Sequence, residues 1–445
     1  MIMKIRPECL GEVQNALERD REAVERTDLA PNTKHTYLLY AENFVRWLTR
    51  SSGDRDRNRA ASAPGARVGG IRPRWPVEIA MRRSLASSLL CAFCVLTAAG
   101  SGTATLAADY ASRAGGVLGT YRPAPPDRSP QTMARAAARF LDLLNAAQRR
   151  DAHYDMAHPE RRRWTNAPVR GQVGGVALGD LDDVQLRAFS DLLAALLSAK
   201  GYGKVRDVML GDDLRATVDG EPNDGVGIEA FRFAVFGDPS ATSRWAVQLD
   251  GHHVALNVTL DGDAYSLSPS FIGTYPQAFA VAGKELRPLA AETDLAHELV
   301  ASLTPAQRAV AVIAGRRGAL RVGPGRDGVV PEPAGIPGGL LDGAQRETLL
   351  ALASQWFDLM PAAHARARKQ RFLDWMGETR FAWSGPVAAG SDVSWAIQGP
   401  SIVIEYANDA RGGTDAGNPV DHVHTVYRDL DRDYGGPPLS GRQAE

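Results

Sequence analysis

Apolar residues recur at helical spacing in MARAAARFLDLLNAAQ, where Phe140, Leu141, Leu143 and Leu144 fall on one broad face. A second helix fits DDVQLRAFSDLLAALLSAKGYG, with Asp180, Asp182 and Asp183 at its N-terminal end and Gly201 as its stop. From Phe231 to Phe271 the period changes to the apolar–polar alternation of strands. Helices return at LAHELVASL and TPAQRAVAVIAG; Thr304 and Gln307 form a capping box there and Pro305 occupies the first turn. A Gly/Pro-rich loop fills roughly 321–339. AQRETLLALASQWFDLM and ARARKQRFLDWMGE then read as helices, and TRFAWSGP, SWAIQGPSIVIEYAND and HVHTVYRD read as strands. Helices and strands come in blocks rather than in strict alternation. The pattern therefore predicts an α+β fold, a single domain over 117–437 with a mainly antiparallel sheet and flanking helices.

The chain echoes itself once. RWAVQLDGHHVALNVT and SWAIQGPSIVIEYAND both read Trp-Ala-aliphatic-Gln, a Gly-containing turn and a strand, so that Trp245 matches Trp395 and Gln248 matches Gln398. Two related hairpins are expected.

Ahead of this domain the pattern fails. Residues 1–80 include an Arg/Gly/Ala/Ser/Pro-rich run from Ser51 with no hydrophobic period, too little to offset the entropy of folding. Of 51 basic residues only six are lysines, the bias of a GC-rich coding sequence, where open frames overrun by chance. Residues 1–80 read as a spurious or fused extension, although LAPNTKHTYLLYAENFVRWLTR carries an amphipathic helix. Residues 81–108, MRRSLASSLLCAFCVLTAAGSGTATLAA, have two arginines, an apolar stretch shorter than the about 20 residues of a membrane span, and small residues before a cleavage point. They read as a signal peptide, which implies a periplasmic or secreted protein with no stable membrane partner unless the signal stays uncleaved. Cys9, Cys91 and Cys94 all precede Asp109, so the mature chain has no thiol and any metal must be held by His, Asp or Glu. A formal net charge of -1 argues against a nucleic-acid partner.

Eight of the nine histidines follow Asp109. In HVHTVYRD, alternation puts His422, His424, Val426 and Arg428 on one strand face, and two histidines at i and i+2 stand roughly 6–7 Å apart, a spacing that suits one metal ion. In HHVALNVTL, His253, Ala255, Asn257 and Thr259 share one face, opposite an apolar face that includes His252. His253 and Asn257 are therefore expected in a cleft, with His252 as a core or supporting histidine of the metal set. Glu405 stands among aliphatics on a buried strand, where a carboxylate needs a metal or a cation such as Arg428. If the hairpins correspond, His253 aligns with Val403, on the face of Glu405, and points into the same space as Glu405. His297-Glu298 lacks the second histidine of an H-E-x-x-H motif, and His153 and His158 lie in a charged turn that could form a lip.

WAVQLDGHHVALNVTL, SPSFIGTYP, FAWSGP, IQGPSIVIEY and HVHTVYRDLDRDYG, in that order, resemble the bacterial and fungal family called domain of unknown function 3500, over about residues 130–436. The resemblance implies a shared fold and no reaction. Residues 1–50 resemble the N-terminal module of tyrosine recombinases, but no catalytic recombinase half follows. The residues themselves suggest an exported metal-dependent enzyme, most simply a hydrolase. His252, His253, His422 and His424 would hold a divalent ion, zinc first and copper or iron as alternatives. Glu405 would be a ligand or base, and Arg428, Gln248, Asn257 and Gln398 would face a small-molecule substrate. The competing readings are a copper or iron oxidoreductase on the same ligands and a non-catalytic exported binding protein.

Protein made from Met81 is expected to be processed to an N-terminus near Asp109 and to show no titratable thiol. N-terminal sequencing and thiol titration of the exported protein check both; peptides from residues 1–80 or one thiol equivalent per chain would contradict the reading.

Overall fold

Four amide side chains organise the helical layer. In the computed structural model, which describes residues 110–218, 225–314, 320–388, 391–408 and 422–439, α1 is Arg113–Thr120, α2 is Pro130–Leu143 and α3 is Ala146–Ala152. The next helix, α4, spans Asp183–Leu196. Asn145 caps α3 with Gln148 in a capping box, and Asp182 caps α4 with Gln185 in another. The two glutamines then bond each other, at 3.0 and 2.9 Å, and reach out to carbonyls. Gln148 Nε2 donates to Asp180 O at 2.7 Å and Gln185 Nε2 to Leu143 O at 2.9 Å. One pair of side chains thus closes two helix starts and ties them to the end of α2.

The same device recurs later in the chain. With α6 at Ala290–Ser302, α7 at Pro305–Ala311 and α8 at Gly343–Phe357, Thr304 and Asp342 are the caps and Gln307 and Gln345 the partners. Gln307 Nε2 donates to Leu340 O at 2.9 Å and Gln345 Nε2 to Ser302 O at 3.0 Å. The repetition continues into the sheet. Its strands are β1 His153–Tyr154, β2 Val176–Ala177, β3 Arg232–Phe236, β4 Arg244–Gly251, β5 Val254–Asp261, β6 Ala264–Ser266 and β7 Ser270–Thr274. The second set is β10 Ile336–Pro337, β11 Arg380–Ser384, β12 Ser394–Gly399, β13 Ile402–Ala407 and β14 Val423–Asp429; β8 Phe279–Val281 and β9 Lys284–Leu286 form a separate ribbon. The main order is β1-β3-β4-β5-β7-β14-β13-β12-β11-β10, antiparallel throughout except β1 on β3. The ladder β3-β4-β5-β7 meets its counterpart β11-β12-β13-β14 at the β7–β14 pair. The fold is α+β with a mostly antiparallel sheet, and the expected pair of related hairpins is present within a larger internal duplication. The described residues, from Tyr110 to Leu439, fall in one compact unit.

Alternation gives the sheet two unlike faces. Val254, Leu256, Val258 and Leu260 of β5 and Ile402 and Ile404 of β13 join the helices in the main core. Phe140 and Phe189 meet Phe233 there, edge on, at 5.3 and 5.0 Å. Ala255, Phe271, Val403 and Val426 face the other way, under Trp164, Val322 and Tyr434 from irregular segments.

Two helical expectations need correction. Leu143 is 36% exposed rather than on the buried face with Phe140, Leu141 and Leu144, because α2 ends there and Asn145 starts a new helix. Gly201 does not stop a helix; it lies inside α5, Ala199–Val218, which follows a break at Leu197 and Ser198. A Cβ at position 201 would stand 2.4 Å from Leu359 O, so the glycine permits close packing of the chain there. The readings of residues 1–108 lie outside the described residues. No helix among the described residues is long and apolar enough to cross a membrane.

Asp250 of β4 gives the fold a pH dependence. It is 2% exposed, accepts from Thr165 N at 3.0 Å, and burial pushes its carboxyl well above the usual carboxylate range. Above its ordinary pKa the unfolded chain releases that proton while the folded chain keeps it, so this group's contribution to stability falls as pH rises towards the raised value. Asp250→Asn should therefore gain on wild type in urea unfolding at pH 8 relative to pH 5. An equal difference at both pH values would contradict the assignment.

Candidate metal centre

The first hairpin turns on two histidines. In β4–β5, Gly251 pairs with Val254, leaving His252-His253 as the loop. His253 adopts a left-handed φ of +69°, uncommon without glycine. Its backbone is pinned on both sides: His253 N donates to Asn166 O at 3.2 Å, and Gly273 N donates to His253 O at 2.7 Å. The unusual conformation turns the ring over the end of β7, beside β14.

Strand β14 supplies the other imidazoles. His424 is opposite Gly273 in the β7–β14 ladder, and His422 lies just before the strand on the same face. A Cβ on residue 273 would stand 2.8 Å from Cδ2 of both His253 and His424. Only glycine leaves room for the two rings to close over β7. His253 Nε2 lies 2.8 Å from His422 Nε2. The ring centroids of His422 and His424 are 4.4 Å apart, and those of His253 and His424 are 5.5 Å apart. One ligand atom from each of His253, His422 and His424 falls within 4.8 Å of the others. His253 is buried, whereas His422 and His424 are half-buried.

Helix α5 completes the site with a residue that the sequence reading did not select. Asp212 is buried, and its Oδ1 lies 2.5 Å from His252 Nδ1 and 3.5 Å from His253 Nδ1. Its Oδ2 accepts from Gly227 N at 2.9 Å. A signal was there: Val205, Val208 and Met209 are buried on one helical face, and Asp212 continues their i, i+3, i+4, i+7 series. Three residues on, Arg215 lies 4.2 Å over the Tyr275 ring, which is 5.2 Å from His422.

The surroundings keep His253 and His424 neutral. Burial, followed by the charges of His252, His424, His422 and Arg215, holds His253 well below the usual histidine range. Burial, then His422 and His252, does the same to His424. Neutral imidazoles carry the lone pairs that bind metal. Two such nitrogens at 2.8 Å repel unless a proton or a cation lies between them. Bonds of 2.0–2.1 Å in tetrahedral geometry would set them roughly 3.3 Å apart, a small opening of the pair.

The structure thus brings His252, His253, His422 and His424 together, as the sequence suggested. It does not bring the remaining candidates to them. The hairpins correspond at their tryptophans, but the first runs four residues longer before it returns: Asn257 stands opposite Gln248 and Val403 opposite Gln398, so Val403 matches Asn257 and not His253. Glu405 shares the face of His424, two pairs further along the ladder, opposite Val426. Its carboxylate, however, accepts from Arg321 N at 2.5 Å, Arg321 Nε at 2.6 Å and Val322 N at 3.3 Å. The cation beside Glu405 is therefore Arg321, not Arg428. Arg428 is fully buried and donates to Val322 O at 3.0 Å, Asp433 at 2.7 Å and Asp327 at 3.0 Å. Gln248, Asn257 and Gln398 are buried and donate to Arg163 O, Pro269 O and Pro331 O, so these amides brace loops against the sheet. Among the described residues His297 joins no group that could hold a metal; its Nδ1 is 2.9 Å from Thr293 O and its ring meets Trp383 edge on. His153 and His158 join neither imidazole group.

No curated protein and no solved structure is significantly similar to the chain. Residues 127–436 match the model of the family described as Protein of unknown function (DUF3500), and the chain belongs to that family.

Proposed function

We propose that the protein is a metal-dependent enzyme, most simply a hydrolase, whose divalent ion is held by His253, His422 and His424. The observation that carries the reading is the convergence of three imidazoles, two of them held neutral and two of them only half-buried. Three protein ligands with one open position is the arrangement of catalytic rather than structural zinc. An ion there would lower the pKa of a water in the open position towards about 7 and polarise a carbonyl or phosphoryl oxygen of the substrate. The chain's own part is to aim the three nitrogens. The left-handed turn and its two backbone bonds fix His253, Gly273 makes room, and the β7–β14 register sets His424. Glu405, committed to Arg321, is not the base of this site. Zinc suits the donor set, and copper or iron on the same imidazoles would make an oxidoreductase. The signal-like segment at 81–108 supports an exported location and a small-molecule substrate outside the cytoplasm.

Metal content per chain, measured after zinc loading and desalting, tests the ligands. His253→Ala, His422→Ala and His424→Ala should each lose most of the ion, and Gly273→Ala should weaken binding by displacing two rings. Glu405→Gln and His297→Ala should keep it. Zinc should raise the melting temperature of wild type and not of His424→Ala, since binding to the folded state alone stabilises it. Wild-type protein that binds no metal, or ligand variants that retain it, would overturn the reading.

A further inference from the structure

His253 belongs to two groups at once. Through Nε2 it faces His422, with His424 beside them. Through Nδ1 it faces Asp212, and Asp212, His252 and His253 form a second set whose ligand atoms lie within 4.8 Å of one another, all three residues buried. In this second set His253 Nδ1 is a buried nitrogen with no hydrogen-bond partner, on a side chain that is 1% exposed. It stands 3.5 Å from Asp212 Oδ1, too far for a good hydrogen bond and a normal separation for two ligands of one ion. Asp212 Oδ1 also meets His252 Nδ1, so one carboxylate oxygen and two Nδ1 atoms surround a common point. Gly227 N holds the other carboxylate oxygen, which fixes the direction of Oδ1.

We propose that this set is a second metal site, occupied together with the first, and that the His253 ring bridges the two ions. The proposal rests on the reading of His253, His422 and His424 as the first site. Each nitrogen of His253 then serves one ion, which requires the ring to be an imidazolate. Loading both sites onto the neutral ring releases its remaining N–H proton to solvent, and the proton between His252 Nδ1 and Asp212 Oδ1 passes to His252 Nε2 or to solvent, so that His252 binds as a neutral imidazole through Nδ1. Charge favours the arrangement. The inner ion would lie in a buried place where an unpaired dication is costly, and it meets one carboxylate and one shared imidazolate there. The strained φ of His253 has a use in the same terms: the turn presents both edges of one ring, one to β14 and one to α5.

The test uses copper(II) as a probe on the purified protein, desalted after loading, with copper per chain measured beside the spin seen by electron paramagnetic resonance. Two coppers per chain are expected, with most of the spin silent at low temperature because the bridging ring couples them. Asp212→Asn and His252→Ala should each hold one copper with its full, uncoupled signal. Should one of these variants fail to fold, judged by circular dichroism without metal, the other variant and the wild-type spin decide. One copper with full spin in wild type, unchanged in Asp212→Asn, would overturn the second site and leave the first standing. Two coppers with full spin would overturn the bridge. No bound copper would end both readings.

Discussion

The pairing of β7 with β14 is the constraint on which the rest depends. It joins the two repeated halves of the sheet, and it sets Gly273 opposite His424. Strand β7 also pairs with β5, through Val254 and Ile272, so its end lies between the hairpin turn that carries His253 and the strand that carries His424. A slip of one residue would send His422 and His424 to the helical face and would put a side chain where two rings now meet. Register, a missing Cβ and a left-handed turn together make the cluster. None of the three would do so alone.

The duplication explains why the site exists once. The two halves share capping boxes, reciprocal glutamines and tryptophan-anchored hairpins, all of which are structural devices. They differ where the imidazoles gather. The first hairpin runs three pairs beyond Gln248–Asn257, through Leu249, Asp250 and Gly251, before it turns at His252-His253; the second turns at Pro400-Ser401, one pair beyond Gln398–Val403. Likewise α5 has 20 residues, while α9, Ala362–Asp374 and next after α8 as α5 is after α4, has 13. Counted from its start, Asp212 lies in the added turns of α5. The shared frame supplies stability; the first half's extensions add His252, His253 and Asp212, and the start of β14 in the second half adds His422 and His424.

How much of this could be read from the sequence follows from which interactions are local. Capping at Thr304 and the His-x-His face of β14 depend on neighbours a few residues away, and both were legible. The pairing of His253 with His424 depended on strand order, yet the turn position of the two histidines and their polar surroundings still pointed to it. Helix α5 was hidden because Gly201, Gly203 and Gly211 weaken the helical signal; two of the three meet other chain segments at close range, Leu359 at Gly201 and Phe279 at Gly211. Asp212 was hidden with its helix. Glu405 was given a metal or Arg428 as its partner because the actual one, Arg321, lies 84 residues away in a segment without periodicity. Its burial was readable, but its partner was not.

The central claim is that His253, His422 and His424 converge on an ion. X-ray absorption at the zinc edge of the zinc-loaded protein tests it most directly. The account predicts a first shell of nitrogen and oxygen at about 2.0–2.1 Å, with the outer-shell scattering of at least three imidazoles, and an absorption edge much reduced in His424→Ala, which loses most of the ion. A first shell of oxygen without imidazole scattering, or a spectrum unchanged in His424→Ala, would contradict it.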